Sequence, residues 1–157
     1  MKNIALTLLM LATAGTLLAQ RQLTSATQVF EALQSGKTVQ AVFHYHKCEL
    51  FIEGEEQEKM PQIIGGMDIS TFEFFGEMSI GNPTPFVVAS KSKLIKNPIG
   101  DGYVYNYAKV KVRGDETVSI TAQYLNPETF AVQMNEEFRT TVNDGKNDSG
   151  AFFFTSE

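Results

Sequence analysis

The chain reads as a mainly β protein, a compact antiparallel sandwich or barrel of about seven strands with one N-terminal helix. Apolar and polar residues alternate in one run after another, which is the period of a half-buried strand. Turn-forming residues recur about every ten positions, the spacing of antiparallel all-β domains rather than of alternating strand and helix. Only one segment of the presumptive domain carries the helical period.

Ahead of that domain, residues 1–19 have the layout of a secretory signal peptide. Met1-Lys2-Asn3 is a short basic start, Ile4 to Ala14 is almost wholly apolar, and Gly15 to Ala19 ends on a small residue. Cleavage is expected after Ala19, although Leu17 is larger than the residue usual at its position. The apolar run falls short of the roughly 20 residues that span a bilayer, and no later segment approaches that length. Position 20 is Gln rather than Cys, so a lipid anchor at the cleavage point is not expected. The expected mature form is unanchored and either periplasmic or secreted.

The helix comes next. Ser25 with Gln28 has the spacing of a capping box. Ala26, Val29, Phe30 and Leu33 then fall on one helical face, and Gly36 supplies a left-handed stop. In the first strand Val39, Ala41, Phe43 and Tyr45 share a face. A charged insert from Glu53 to Lys59 interrupts the pattern. Two more strand-like runs span Met67 to Phe75 and Phe86 to Ile95. The clearest signal is a hairpin, Tyr103 to Arg113 and Thr117 to Leu125, with Gly114-Asp115 between the runs. Phe130, Val132, Met134, Phe138 and Val142 mark a further strand, and Phe152 to Phe154 a short last one. Repeats, low-complexity tracts and linkers are absent from the sequence, so residues 23–155 form a single domain.

Composition narrows the function. Twelve Phe and five Tyr provide for a packed interior, against the pattern of a disordered chain. The formal charge of −5 comes from 13 Lys and Arg against 18 Asp and Glu, without the basic footprint of a nucleic-acid binder. Cys48 is the only cysteine, which rules out an intramolecular disulfide and suits a small buried hydrophobe.

His44, His46 and Cys48 form the sharpest cluster. On a strand, residues two apart share a face, which would line the two imidazoles and the thiol on one side about 7 Å apart. These are suitable ligands for Zn²⁺ or Cu, but no fourth ligand lies near in sequence. The alternative is a polar outer face with Cys48 tucked at its end. Asp68, Glu73 and Glu77 suggest paired carboxylates, against a turn Asp with solvated glutamates. Tyr103, Tyr105 and Tyr107 share a face that would either stack on a ligand or pack at a rim.

Other motifs carry less chemistry. Asn143 to Gly150 looks like a calcium loop but fails the EF-hand pattern, since Asp148 stands where its glycine is needed. Arg113-Gly114-Asp115 spells an adhesion tripeptide at a hairpin tip, where Gly-Asp is also ordinary turn chemistry. Gly100-Asp101-Gly102 lacks the third glycine and the helix of a dinucleotide cradle. A Gly-x-Ser-x-Gly elbow is missing. Nothing in the sequence calls for a cofactor.

Four blocks then resemble a known family. They are Gly65-Gly66-Met67-Asp68-Ile69 with Thr71 to Phe75; Tyr105-Asn106-Tyr107; Tyr124-Leu125-Asn126-Pro127 with Met134 and Glu136-Glu137-Phe138; and Asn143 to Asn147 leading to Phe152-Phe153-Phe154. Their order resembles the bacterial VirK proteins, small exported proteins first noticed among genes linked to host infection. The resemblance spans about residues 23–155. It implies export from a Gram-negative bacterium and a virulence context, and it brings no established catalytic residues.

The expected function is therefore an exported, non-enzymatic binding or interaction protein whose ligand is a protein or a small molecule. Asp68, Tyr105, Asn106 and Tyr107 are its candidate ligand contacts. The runner-up is an exported effector or enzyme with its site around Asp68 or the row His44, His46 and Cys48. Convergence of Asp68, His44, Tyr105 and Asn106 into one cleft would favour the enzyme; dispersal would favour the binding module.

Overall fold

A computed structural model of the chain describes residues 20–156; the predicted leader, residues 1–19, lies outside them. Its elements run β1 (Gln20–Leu23), α1 (Ala26–Gln34), β2 (Val39–His44), a 3-10 turn (Tyr45–Lys47), β3 (Glu49–Ile52), β4 (Glu55–Gln57), β5 (Ile64–Ile69) and β6 (Glu73–Phe75). They continue with β7 (Phe86–Lys96), β8 (Tyr103–Arg113), β9 (Thr117–Leu125), β10 (Val132–Thr141) and β11 (Ala151–Ser156).

The helix forms where its signals stand. Ser25 Oγ accepts the Gln28 N–H at 3.3 Å. The Gln28 side chain reaches back one residue further than the predicted box and accepts the Thr24 N–H at 2.8 Å. The N–H of Ala26, without a partner inside the helix, is taken by the Glu116 carboxylate, 2.8 Å away in the β8–β9 turn. An anion at a helix N-terminus is the favoured arrangement. At the other end Gly36 has φ +82, its N–H donates to Leu33 O and the Lys37 N–H donates to Ala32 O, so both bonds of a Schellman stop are present.

The strands form two antiparallel sheets. The small sheet has the order β1-β11-β2-β5 and the large one β4-β3-β10-β9-β8-β7-β6. Among the described residues the sheets meet only through an isolated bridge from Val142, just after β10, to Ala151 of β11; they do not close, so the architecture is an open sandwich and the barrel alternative falls. The predicted hairpin is β8–β9, in register from Tyr105 opposite Leu125 to Val112 opposite Val118.

Four details differ from the sequence reading. The charged insert supplies the turn and second strand of a hairpin, with Glu53 and Gly54 at positive φ between β3 and β4. The run Met67 to Phe75 is two strands in different sheets, because the chain crosses over at Ser70 to Phe72. Tyr45 leaves the strand for the 3-10 turn. Phe130 stands in a loop at φ +58 before β10 begins. The short β1 carried too few residues to show a period.

Between the sheets lies the core. Val39, Ala41, Phe43, Ile69 and Phe153 of the small sheet face Val87, Ala89, Val110, Val112, Val118, Ile120 and Phe138 of the large one, all buried. Burial of each such side chain favours folding by about 1.5–3 kcal/mol. The helix adds Val29, Phe30 and Leu33, with Phe30 edge-on to Phe74 at 5.5 Å.

The inner face of the large sheet changes character along its strands. One row across it is Ala89, Val110, Ile120 and Phe138; the next is Lys91, Ala108, Ala122 and Glu136; the third is Lys93, Asn106, Tyr124 and Met134. The small sheet covers the apolar part, and only its edge strand β5 reaches over the polar part.

Candidate functional site

Where the small sheet stops, its edge strand β5 stands over that polar part of the large sheet. Near one end of β5, the Tyr45 ring lies against Gly65 and also packs on Phe138 of β10, with ring centroids 4.3 Å apart. Near the other end, Asp68 Oδ2 pairs with Lys91 Nζ of β7 at 3.4 Å. The strand therefore crosses the large sheet from β10 to β7. A cleft of about 440 Å³ opens along it.

Side-chain size makes the room. Ala108 is the small floor residue, and Gly66 leaves a gap in the wall through which Val42 and Ala41 are reached. The closeness of β2 demands glycine at 66, since a Cβ there would sit 2.7 Å from Ala41 O. Asp68, Lys91, Lys93 and Asn106 supply the polar lining. The Asp68–Lys91 pair is half-exposed on both sides, so it contributes about 0–1 kcal/mol and is easily exchanged for another partner. Lys93 makes no ion pair among the described residues. Following the registered row, the alanine floor runs from Lys91 to Glu136, about 14 Å over three strand spacings.

Electrostatics differ at the two ends. Burial pushes the Tyr45 hydroxyl up to about 12, with smaller contributions from Cys48, Glu136 and Tyr124. Burial also raises the Glu136 carboxyl. Tyr45 and Glu136 thus favour their neutral forms, whereas the cleft lining itself carries the two lysines, Lys91 and Lys93.

The sequence-predicted residues divide. Asp68 and Asn106 meet in the cleft. Tyr105 and Tyr107 alternate with buried Val104 and Val110 and point to the opposite, outer face of the large sheet. There Tyr105 lies parallel to Phe130, with centroids 6.0 Å apart and planes at 10°.

His44, His46 and Cys48 do not share a strand face. The strand ends at His44, and the 3-10 turn brings His46 back beside it, with ring centroids 5.6 Å apart. Cys48 turns inward, is 6% exposed, and its thiol donates to His44 O at 3.5 Å. Burial pushes that thiol up to about 11, only partly offset by a hydrogen bond with Thr140, which keeps it protonated at neutral pH. A protonated buried thiol is a poor nucleophile and a poor metal ligand. Among the described residues no group of three or more His, Cys, Asp or Glu is placed to hold a metal ion.

The remaining motifs resolve into turn chemistry. Asp144 Oδ1 accepts the N–H groups of Lys146 and Asn147, at 2.8 and 2.7 Å, which holds its carboxyl below the ordinary range. Asp148 pairs with Lys47. At the hairpin tip the Gly114 N–H donates to Pro85 O at 2.8 Å, and Asp115 accepts the hydroxyl and N–H of Thr117. The tripeptide is thus seated on the protein rather than displayed freely. Glu73 lies in β6, in the other sheet from Asp68, so the two carboxylates form no pair.

Sequence reasoning missed Lys91, Lys93 and Ala108. The signal was present in β7, where the inward positions change from Val87 and Ala89 to Lys91 and Lys93 without a break in the strand.

Comparison with known proteins gives two findings. The family model described as VirK protein matches residues 22–130. A VirK family protein from Legionella pneumophila has a similar crystal structure, with a TM-score of 0.64 at 16% sequence identity over 85% of this chain and 98% of that one. At that identity the likeness concerns the fold alone. No curated protein matches the chain.

Proposed function

The chain belongs to the VirK family, and we propose that it is an exported, non-enzymatic binding protein that captures an extended segment of a partner along the free edge of β5. One observation carries this reading: β5, the edge strand of the small sheet, opens into a cleft. Among the described residues β5 pairs only with β2, while β1, β4 and β6 at the other sheet edges are shorter. Edge strands are ordinarily guarded by Lys, Pro or a bulge. The β5 sequence Ile-Gly-Gly-Met-Asp-Ile has none of these, and only Asp68 is charged.

An added strand gains affinity from its main-chain hydrogen bonds, and side-chain pockets select its sequence. In this cleft Lys93 and Asn106 suit a carboxylate of the ligand, and the alanine floor suits a small apolar side chain. Export and a role in the encounter of a Gram-negative bacterium with its host follow the character of the family. The enzymatic reading finds less support, since the polar groups beside Asp68 are lysines and an amide, and His44, His46 and Cys48 lie outside the cleft lining.

The test is native mass spectrometry of the protein recovered from the exported fraction of its own cell. The expected spectrum has the mass of a chain starting at Gln20 with a bound peptide, which is lost in a Lys93→Ala/Asn106→Ala variant. Full-length chain in the cytosol would sink the export part of the proposal. A bound species that survives the double substitution would sink the site.

A further inference from the structure

The outer face of the large sheet holds a second feature, separate from the cleft. Along β8 the outward positions read Tyr103, Tyr105, Tyr107, Lys109, Lys111 and Arg113, with Val104, Val110 and Val112 buried beneath. Lys96 joins them, opposite Tyr103 in register. The acidic residues of this face, Glu49, Glu56, Glu73 and Glu137, lie toward its two flanks on β3, β4, β6 and β10, and Glu137 is engaged by Arg139 at 2.8 Å. A chain of net charge −5 therefore gathers a stripe of like positive charge on one strand. Like charges so aligned repel each other. The Lys111 ammonium sits 3.7 Å over the Phe86 ring, and burial together with Arg113 and Lys109 beside it holds its pKa below the ordinary range. An anionic partner laid along the stripe would relieve that repulsion.

At each end of the stripe there is something for a polymer to meet. At the tyrosine end Phe130 is 64% exposed and adopts φ +58, a left-handed conformation that a bulky residue avoids. The Asn126 side chain enforces it, accepting the N–H groups of Glu128 and Thr129, while Phe130 N–H donates to Asn126 O. Strain of this kind gathers where a side chain must be presented, and here it presents a ring parallel to Tyr105. At the other end Arg113 joins Thr117, Ser119, Arg139 and Thr141 in lining a concavity of about 770 Å³. Its hydroxyls offer hydrogen bonding, while the charged groups of its lining balance, with Lys47, Arg113 and Arg139 against Glu49, Glu137 and Asp148.

We propose that this face binds an acidic polysaccharide, with sugar rings seated on Phe130 and Tyr105 and carboxylate or sulfate groups along Lys109, Lys111 and Arg113. Charge complementarity fixes the sign of the partner. The flat aromatic pair selects a polymer of rings over a simple counter-ion, and the hydroxyl-lined basin favours a polyhydroxylated chain.

The experiment is calorimetric titration of the leaderless protein with a sulfated uronic-acid hexasaccharide, with neutral dextran and oligo(dT) as comparators. Binding of the hexasaccharide alone, weakened at least tenfold by Lys109→Ala/Lys111→Gln and by Phe130→Gly, is the expected result. Glycine is at ease at φ +58, so Phe130→Gly removes the ring without endangering the fold. Unchanged affinity in both variants, or no binding at all, would overturn the proposal. Oligo(dT) binding as tightly as the hexasaccharide would overturn the choice of polysaccharide. A Lys93→Ala/Asn106→Ala variant is expected to bind the hexasaccharide normally, which separates this face from the β5 cleft.

Discussion

Replacing Gly66 by Ala adds a single methyl group where β5 lies against β2. The added carbon would sit 2.7 Å from Ala41 O, a backbone atom that cannot rotate away. Either β5 shifts or its hydrogen bonds to β2 lengthen. Overpacking of this kind costs about 1–3 kcal/mol, and reduced freedom of the unfolded chain returns about 0.4–1 kcal/mol. The net loss is about 1–2 kcal/mol, which at a mid-range urea slope of about 2 kcal/mol per molar lowers the midpoint by roughly 0.5–1 M. Circular dichroism of the β signal during urea unfolding measures it. Gly76→Ala is the matched control, because nothing lies within 4 Å of its added carbon and its φ is not positive. That variant is expected to gain about 0.4–1 kcal/mol. A Gly66→Ala midpoint at or above the wild type, or an equal fall in Gly76→Ala, would refute the argument that β5 is held by backbone contact.

Other outcomes follow from single groups. Glu116→Ala removes the carboxylate that accepts the Ala26 N–H and is expected to cost about 0.5–2 kcal/mol in urea unfolding. Alkaline stability depends on Cys48 and Tyr45, whose pKa values rise on folding from 9.0 to about 11 and from 10.0 to about 12. Both are neutral when protonated, so their contribution is full below pH 9 and is lost as pH climbs toward 12. A Cys48→Ala/Tyr45→Phe variant should flatten that decline. Glu136 has a raised carboxyl pKa from burial, so its contribution is present below the ordinary range and lost as pH rises through the folded value. Glu136→Gln should therefore raise the urea midpoint at pH 7 and do little at pH 4. The Cys48 thiol should react with a disulfide reagent at pH 8 only as fast as urea opens the fold, and rapid labelling of the folded protein would contradict its burial.

Much of this architecture was legible in the residues. The β8–β9 hairpin announced itself because its strands are long and one face is buried, so Val104, Val110 and Val112 alternate against lysine and tyrosine. The helix was readable at both ends because caps are local chemistry, and Ser25 and Gly36 act on their own neighbours. What stayed hidden was decided at long range. The Glu53–Lys59 segment has too little apolar content to show a period, yet β4 forms because β3 offers it an edge. The break at Ser70 to Phe72 has no proline or glycine to mark the crossover. His44 and Cys48 share a parity that would place them on one face, but Tyr45 leaves the strand to pack on Phe138, and that tertiary contact turns the thiol inward. Asp68 and Asn106 were singled out within separate blocks. Their meeting in one cleft follows from how β5 crosses the large sheet, which no local pattern encodes.

The central claim is that the free edge of β5 and the floor beneath it form the binding site. Amide NMR of residues 20–157, titrated with a peptide fraction from the native cell, tests it most directly. Shifts concentrated at Gly66 to Asp68, Lys91, Lys93 and Asn106, with slowed hydrogen exchange of the outward β5 amides, are the predicted result. Shifts centred on any other surface, or β5 amides that exchange as before in the presence of a bound ligand, would contradict it.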